Sequence, residues 1–404
     1  RTAQPSSQVA VVPSPRNCRL KLWVACMGQL LGVGGGIDAV HRSTYLRSAG
    51  EQPANIADRE FMIRCYLEDV RRLGSEAIPP LTHVAVSAQG HLPVVVRFVT
   101  WNLNMLMGAD GRTDVEPKSV IALLEELSPD VLVLQECPVS GLDTLWSHCY
   151  TEPMRRVQAL DTMLKGMGYT LLRSHASNPT LLASRLPTCY TEEGPLLDVD
   201  PVRSWNGDSL WEESRAACYA ELLLPAPAPP VAVYATHLHH KDSERKCGKD
   251  IAGVRRREMA TLLEHWRQRP TCPTVTLLLA DFNQPRRRDH SEEEWRVVAA
   301  GLRDPRVAQP EDDGVAELLC SEGFRCCYDV IEGATSSNNF GGRAAPPLTH
   351  WTGTTVDFSY LHSAPSAFSE VIGTFVQYST LSDHLPVVTD LRLGHPVAKQ
   401  SPNE

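Results

Sequence analysis

Short continuous apolar runs alternate along this chain with longer stretches whose apolar positions recur at helical spacing. The first pattern predicts strands buried on both faces, and the second predicts amphipathic helices. Val94 to Thr100 is β-branched and runs straight into Trp101-Asn102-Leu103-Asn104. Pro117 then suits the first turn of a helix with Val120, Leu123, Leu124 and Leu127 on one face, and Ser128-Pro129 stops it. Val131-Leu132-Val133-Leu134 reads as the next strand, ending in Gln135-Glu136. Met154, Val157, Leu160 and Leu164 predict a second helix, and Gly168 leads into short strands around Thr170 to Arg173 and Thr180 to Ala183. A strand over Ala217 to Leu224 meets the turn Pro225 to Pro230, after which Val231 to Ala235 delivers Thr236-His237-Leu238. A helix from Ala252 to Arg267 carries Met259, Leu262, Leu263 and Trp266 on one face. Thr274 to Leu279 is again strand-like and ends in Ala280-Asp281-Phe282-Asn283, and Thr355 to Leu361 and Val387 to Leu393 complete the set.

The alternation predicts an α/β class, spanning residues 94–394. Residues 1–17, rich in Pro, Ser and Gln, read as a disordered arm, and residues 395–404 as a tail. Between them, residues 18–93 form an N-terminal extension with one amphipathic helix from Ala57 to Leu73, built on Phe61, Ile63, Tyr66, Leu67 and Val70. Leu20 to Val40 is apolar, but Gln29, Asp38 and a glycine-rich centre interrupt it. It falls short of a membrane helix and reads as a buried segment or the remnant of a leader, so no stable membrane insertion is expected. No internal repeat stands out, and any likeness between two halves would be structural.

Composition narrows the function. The chain is 42% hydrophobic and 22% charged, with a net charge of -9, which excludes the strongly basic footprint of a nonspecific duplex binder. Twelve scattered cysteines include no CxxC spacing, so neither a zinc site nor a disulfide framework is expected. Buried thiols in a reducing compartment, cytoplasmic or nuclear, are the plain reading. Oligomeric state is left open.

The chemistry gathers at strand ends, where Asn102, Glu136, His237, Asp281 with Asn283, Asp357, and Asp383 with His384 recur. Taken singly, each reads as a solvated loop residue or a histidine satisfied by backbone. Together they supply hard oxygen ligands for Mg²⁺ or Mn²⁺ and a histidine with a carboxylate to hold its tautomer. Metal-assisted attack on a phosphate ester needs such a set.

Thr100-Trp101-Asn102, Leu134-Gln135-Glu136, Thr236-His237-Leu238, Ala280-Asp281-Phe282-Asn283, Val356-Asp357-Phe358 and Ser382-Asp383-His384-Leu385-Pro386 resemble, in order, the motif series of the endonuclease/exonuclease/phosphatase superfamily, the DNase I-like fold. The resemblance covers Val94 to Leu393. It implies a four-layered α/β (α+β) sandwich, two packed β-sheets flanked by helices, and a divalent-metal-dependent phosphoester hydrolase. Carried over by position, Asn102, Glu136 and Asp383 become metal-site residues. Asp281 orients or activates the water with Asn283 beside it on the phosphate. Asp357 pairs with His384, and His237 matches a second histidine found in many branches.

Two departures stand out: Ala280 where the family commonly has Gly, and Thr355 where a basic residue often lies. Asn178, followed by Pro179, resembles a substrate-side asparagine. Arg286 and Arg287, in the loop after Asn283, are candidate contacts to a multiply phosphorylated ligand or a nucleic-acid backbone, or else pair with Asp289 and Glu292 to Glu294. Arg255-Arg256-Arg257, opening the Met259 helix, reads as surface, and His239 to Asp250 as a mobile lip. The phosphoinositide-branch motifs are not matched. The expected activity is a phosphodiesterase or nuclease, with a phosphomonoesterase acting on a small-molecule or lipid phosphate, or a non-catalytic scaffold of the same fold, as the alternatives.

Overall fold

The computed structural model describes residues 93–394 apart from 111–112, 138–150, 175–179, 195–201, 207–208, 214, 227, 240–252, 270–273, 291, 293–294, 297–311, 332–348 and 351–353. The expected arm, extension, helix at Ala57 to Leu73 and tail lie outside these residues, as do Asn178 and the lip beyond His239.

In chain order the strands are Val94–Asn102 (β1), Val131–Gln135 (β2), Thr170–Arg173 (β3), Leu181–Ser184 (β4), Thr188–Gly194 (β5), Val202–Asn206 (β6), Ser209–Glu213 (β7), Ala217–Leu222 (β8), Val231–His237 (β9), Val275–Asp281 (β10), Arg325–Cys326 (β11), Asp357–Ser363 (β12), Phe368–Val376 (β13) and Val387–Gly394 (β14). The helices are Pro117–Leu127 (α1), Thr151–Gly166 (α2), Val254–Arg267 (α3), Val315–Ser321 (α4) and the single turn Cys327–Val330 (α5). Two six-stranded sheets run β13-β14-β1-β2-β4-β3 and β11-β12-β10-β9-β8-β5, and β6-β7 is a separate hairpin.

Three apolar clusters define four layers. Val96, Phe98, Val131 and Val133 of the first sheet meet Val233, Val275, Leu277 and Leu279 of the second between the sheets. The alternate residues Val99, Trp101, Leu132 and Leu134 face α1 and α2 through Val120, Leu124, Val157 and Leu160. Tyr219, Tyr234 and Leu278 likewise face α3 and α4 through Met259, Leu263, Trp266 and Leu319. The central strands are therefore covered on both faces, which is why they read as unbroken apolar runs.

Each sheet has the same pairing pattern. A parallel pair, β1 with β2 and β9 with β10, lies at the centre, and every outer pairing in either sheet is antiparallel. A helix links each parallel pair, α1 in one unit and α3 in the other. The likeness between halves is thus one of topology. Ligands bind outside the carboxyl ends of such parallel pairs, and register delivers the polar residues there. Asn102 pairs with Gln135 at the end of β1 and β2. Asp281 pairs with His237 on one side and Asp357 on the other, so three candidate residues form one row across β9, β10 and β12.

Several elements differ from the sequence expectation. Asp357 opens β12 instead of lying inside a strand from Thr355, because Thr349 Oγ1 accepts the amides of Val356 and Asp357. The strand from Ala217 stops at Leu222. The expected set lacks β5, the β6–β7 hairpin, β11, β13, α4 and α5.

Candidate active site

Strand ends become usable here through tight left-handed turns. Glu136, directly after β2, has φ +53°, and Asn283, just after β10, has φ +51°. Non-glycine residues take this conformation at a cost of roughly 1–2 kcal/mol, and here it turns each side chain off its strand. The Glu136 turn is held by Met105 N–H on its carbonyl at 3.2 Å, and Leu103 N–H reaches Gln135 O at 3.1 Å. Arg255 holds the Asn283 carbonyl at 2.5 Å while its Nε bonds Asp313 at 2.8 Å. Arg255 is therefore buried, which corrects the surface reading of that run; Arg256 and Arg257 are exposed.

Asp281 lies at the centre and is fully buried. Its Oδ2 accepts Asn102 Nδ2 at 2.9 Å and its Oδ1 accepts Asn283 N–H at 2.8 Å. The same Oδ2 stands 3.3 Å from His237 Nε2 and 3.8 Å from His384 Nε2. Burial alone would raise the Asp281 pKa, but His384 and His237 with the Asn102 bond hold it well below the usual carboxylate range.

The two imidazoles are driven opposite ways. His384 Nδ1 donates to Asp357 Oδ2 at 2.9 Å. Burial opposes a charge on this ring, yet Asp357, Asp281 and Asp383 outweigh it and raise its pKa well above that of free histidine. Burial, opposed by His384, also pushes Asp357 up, to about 6. On the other side, Arg215 NH1 donates to His237 Nδ1 at 2.9 Å. Burial and this guanidinium lower His237 to about 4, so the ring is neutral with its proton on Nε2, facing Asp281.

Glu136, Asn283 and Asp383 are half-buried and open the site to solvent. The Asn102 amide nitrogen is 3.3 Å from Glu136 Oε1. Its oxygen accepts Asn104 N–H at 2.9 Å, so the oxygen donor expected of Asn102 is turned away from the carboxylates. Burial, and next the Asp383 charge, push Glu136 up to about 7.

The loop carrying Asp383 and His384 is tied down from several sides. Ser382 Oγ donates to Asn102 O at 2.6 Å, and Trp101 Nε1 donates to His384 O at 3.0 Å. Leu385 N–H reaches Thr349 O at 2.7 Å.

No family model matches the sequence, and no curated protein matches it. Solved structures do. One is an endonuclease/exonuclease/phosphatase from Beutenbergia cavernae, 18% identical over 75% of this chain and 73% of that one, with a TM-score of 0.48. Another is the human Nocturnin catalytic domain with bound sulfate, 16% identical over 74% and 93%, with a TM-score of 0.42. A third is D. rerio TDP2 complexed with a single strand DNA product, 14% identical over 74% and 99%, with a TM-score of 0.43.

Of the residues expected from the superfamily motifs, Asn102, Glu136, His237, Asp281, Asn283, Asp357, Asp383 and His384 come together. Arg286 and Arg287 do not join them through their guanidinium groups. Arg286 is buried over the Phe358 ring and bonds Asp289 at 2.7 Å and Asp329 at 2.9 Å. Arg287 pairs with Glu292 and lies over Trp295. The loop's own carboxylates occupy both, as in the second of the two readings above. Sequence reasoning missed Arg215, Thr349 and His350. Arg215 did carry a signal, a lone arginine at the head of an apolar strand. His350, whose ring centroid is 4.4 Å from that of His384, lies in a stretch without periodicity.

Proposed function

We propose that this chain is a divalent-metal-dependent hydrolase of phosphoester bonds, a phosphodiesterase in the first instance, with residues 94–394 as its catalytic unit. One observation carries the reading: Asp281 and the ends of both parallel strand pairs meet in a single site that also holds one charged and one neutral imidazole.

The donor set fits Mg²⁺ or Mn²⁺. Glu136 is raised to about 7 because it is buried near Asp383, and a divalent cation between such carboxylates relieves that repulsion. Glu136 and Asp383 would hold it, joined by Asn102 once its amide turns. When bound, the cation supplies charge neutralisation at the phosphoryl group.

The side chains divide the remaining work. Asp281 is too weak a base to keep a proton, so its role is to orient the attacking water and accept hydrogen bonds. His384, held as an imidazolium by Asp357, donates from Nε2 to a phosphoryl oxygen and offsets its developing charge. His237 Nε2–H, facing Asp281, keeps that carboxylate in place, and Asn283, whose Nδ2 reaches Leu238 O at 2.9 Å, lines the opposite side of the site.

The test uses the whole chain with a bis-aryl phosphate diester and the corresponding monoester, followed by single-stranded DNA and RNA. EDTA-sensitive turnover of the diester is expected, falling by roughly 10²-fold or more in Glu136→Gln and in His384→Ala with the fold retained. Turnover that survives in both variants overturns the proposal. Preference for the monoester selects the phosphomonoesterase, and binding without turnover on every substrate selects the scaffold.

A further inference from the structure

We propose that His350, Asp383 and His384 form a second cation site, one for a transition metal such as Zn²⁺, and that filling it switches the enzyme off. One donor atom from each of the three lies within 4.8 Å of the others. His350 Nε2 is 3.8 Å from Asp383 Oδ2, and these side chains are 18% and 20% exposed, so an ion reaches them from solvent. Backbone pairing of His350 with His384 fixes the two rings side by side. Among the described residues the other trio with suitable spacing, Asp281, Asp357 and His384, is wholly buried and already bonded within itself through the His384–Asp357 contact.

Ligand type separates the two cation sites. Two imidazole nitrogens and one carboxylate oxygen match the three protein ligands of an open zinc site. The Glu136 side offers oxygen donors, which suit Mg²⁺. Asp383 lies between them. His384 Nδ1 is taken by Asp357, so the cation must bind Nε2. A cation on Nε2 occupies the atom that the proposed reaction offers to a phosphoryl oxygen; the Nε2 proton is released to solvent and the ring stays as a neutral imidazole with Nδ1–H on Asp357. The inhibitory consequence rests on the role proposed above for His384; the binding does not.

The experiment measures Zn²⁺ affinity of the full chain by competition with a chromogenic chelator, with Co²⁺ visible absorption as a report on coordination. Wild type, His350→Ala, His350→Gln and Glu136→Gln are compared, each checked for folding by thermal melting. Expected are a loss of Zn²⁺ affinity of roughly tenfold or more in both His350 variants, loss of the Co²⁺ absorption, and unchanged Zn²⁺ affinity in Glu136→Gln. Zn²⁺ added to the Mg²⁺-supported reaction should inhibit wild type, and the Zn²⁺ concentration for half inhibition, taken relative to each protein's own Zn²⁺-free rate, should rise roughly tenfold or more in both His350 variants. Wild-type Zn²⁺ affinity in a folded His350→Gln, or its loss in Glu136→Gln, overturns the site. Should the phosphoester panel give no turnover, the chelator competition still decides binding.

Discussion

Asp281 receives hydrogens from Asn102 and Asn283 and stands between two imidazoles held in different protonation states. That asymmetry is testable through stability. A histidine lowered to about 4 in the folded protein, against about 6.5 when unfolded, leaves the unfolded chain binding more protons between those values. His237 therefore costs stability as pH falls from about 6.5 towards 4, by about 3 kcal/mol in all. His237→Gln should flatten this part of the profile in denaturant melts run across that window; an unchanged slope would mean the ring is not held neutral. Arg286 gives the opposite kind of expectation. Because it is buried against Asp289 and Asp329, Arg286→Gln should cost about 3 kcal/mol of stability and leave the KM of any phosphoester unchanged. A raised KM with an unaltered melt would return Arg286 to the substrate. At this scale the readable residues were those ending an apolar run, such as Glu136 and Asp281. Thr349, His350 and Arg215 escaped because each matters through a contact made by a segment whose own pattern points elsewhere.

Between residues and fold stand the strand-end loops. The His384 loop is fastened to β1 by Trp101 Nε1 and by Ser382 Oγ on Asn102 O, so the proposed metal side and the imidazole side share one support. Trp101→Phe keeps an aromatic ring at this fully buried position but removes the N–H donor and leaves a cavity. A stability loss of about 2–4 kcal/mol is expected, with a larger proportional fall in kcat than in KM; equal melts and equal kcat would show that the contact is idle. Burial explains which elements the sequence disclosed. β1, β2, β9 and β10 are covered on both faces and announce themselves as continuous apolar runs. β13 lies at a sheet edge with most of its residues half-buried, and its mixed pattern FSEVIGTFV hides it.

Across the whole molecule, the sheets are held by side chains such as Phe98 and Leu277, both fully buried in the layer between them. Phe98→Ala should cost about 3–5 kcal/mol in denaturant melts, and a smaller loss would mean that the two sheets close up around the gap. The first and last described strands are hydrogen-bonded neighbours, with Val94 opposite Leu393, and Pro93 Cβ lies 3.6 Å from the position a Cβ on Gly394 would take. The backbone thus enters and leaves this body at one pole, and β1 runs from there to Asn102, roughly 26 Å away. A handle or surface anchor spliced on at either seam would pull from behind and leave the strand ends that carry Glu136 and Asp383 facing outward.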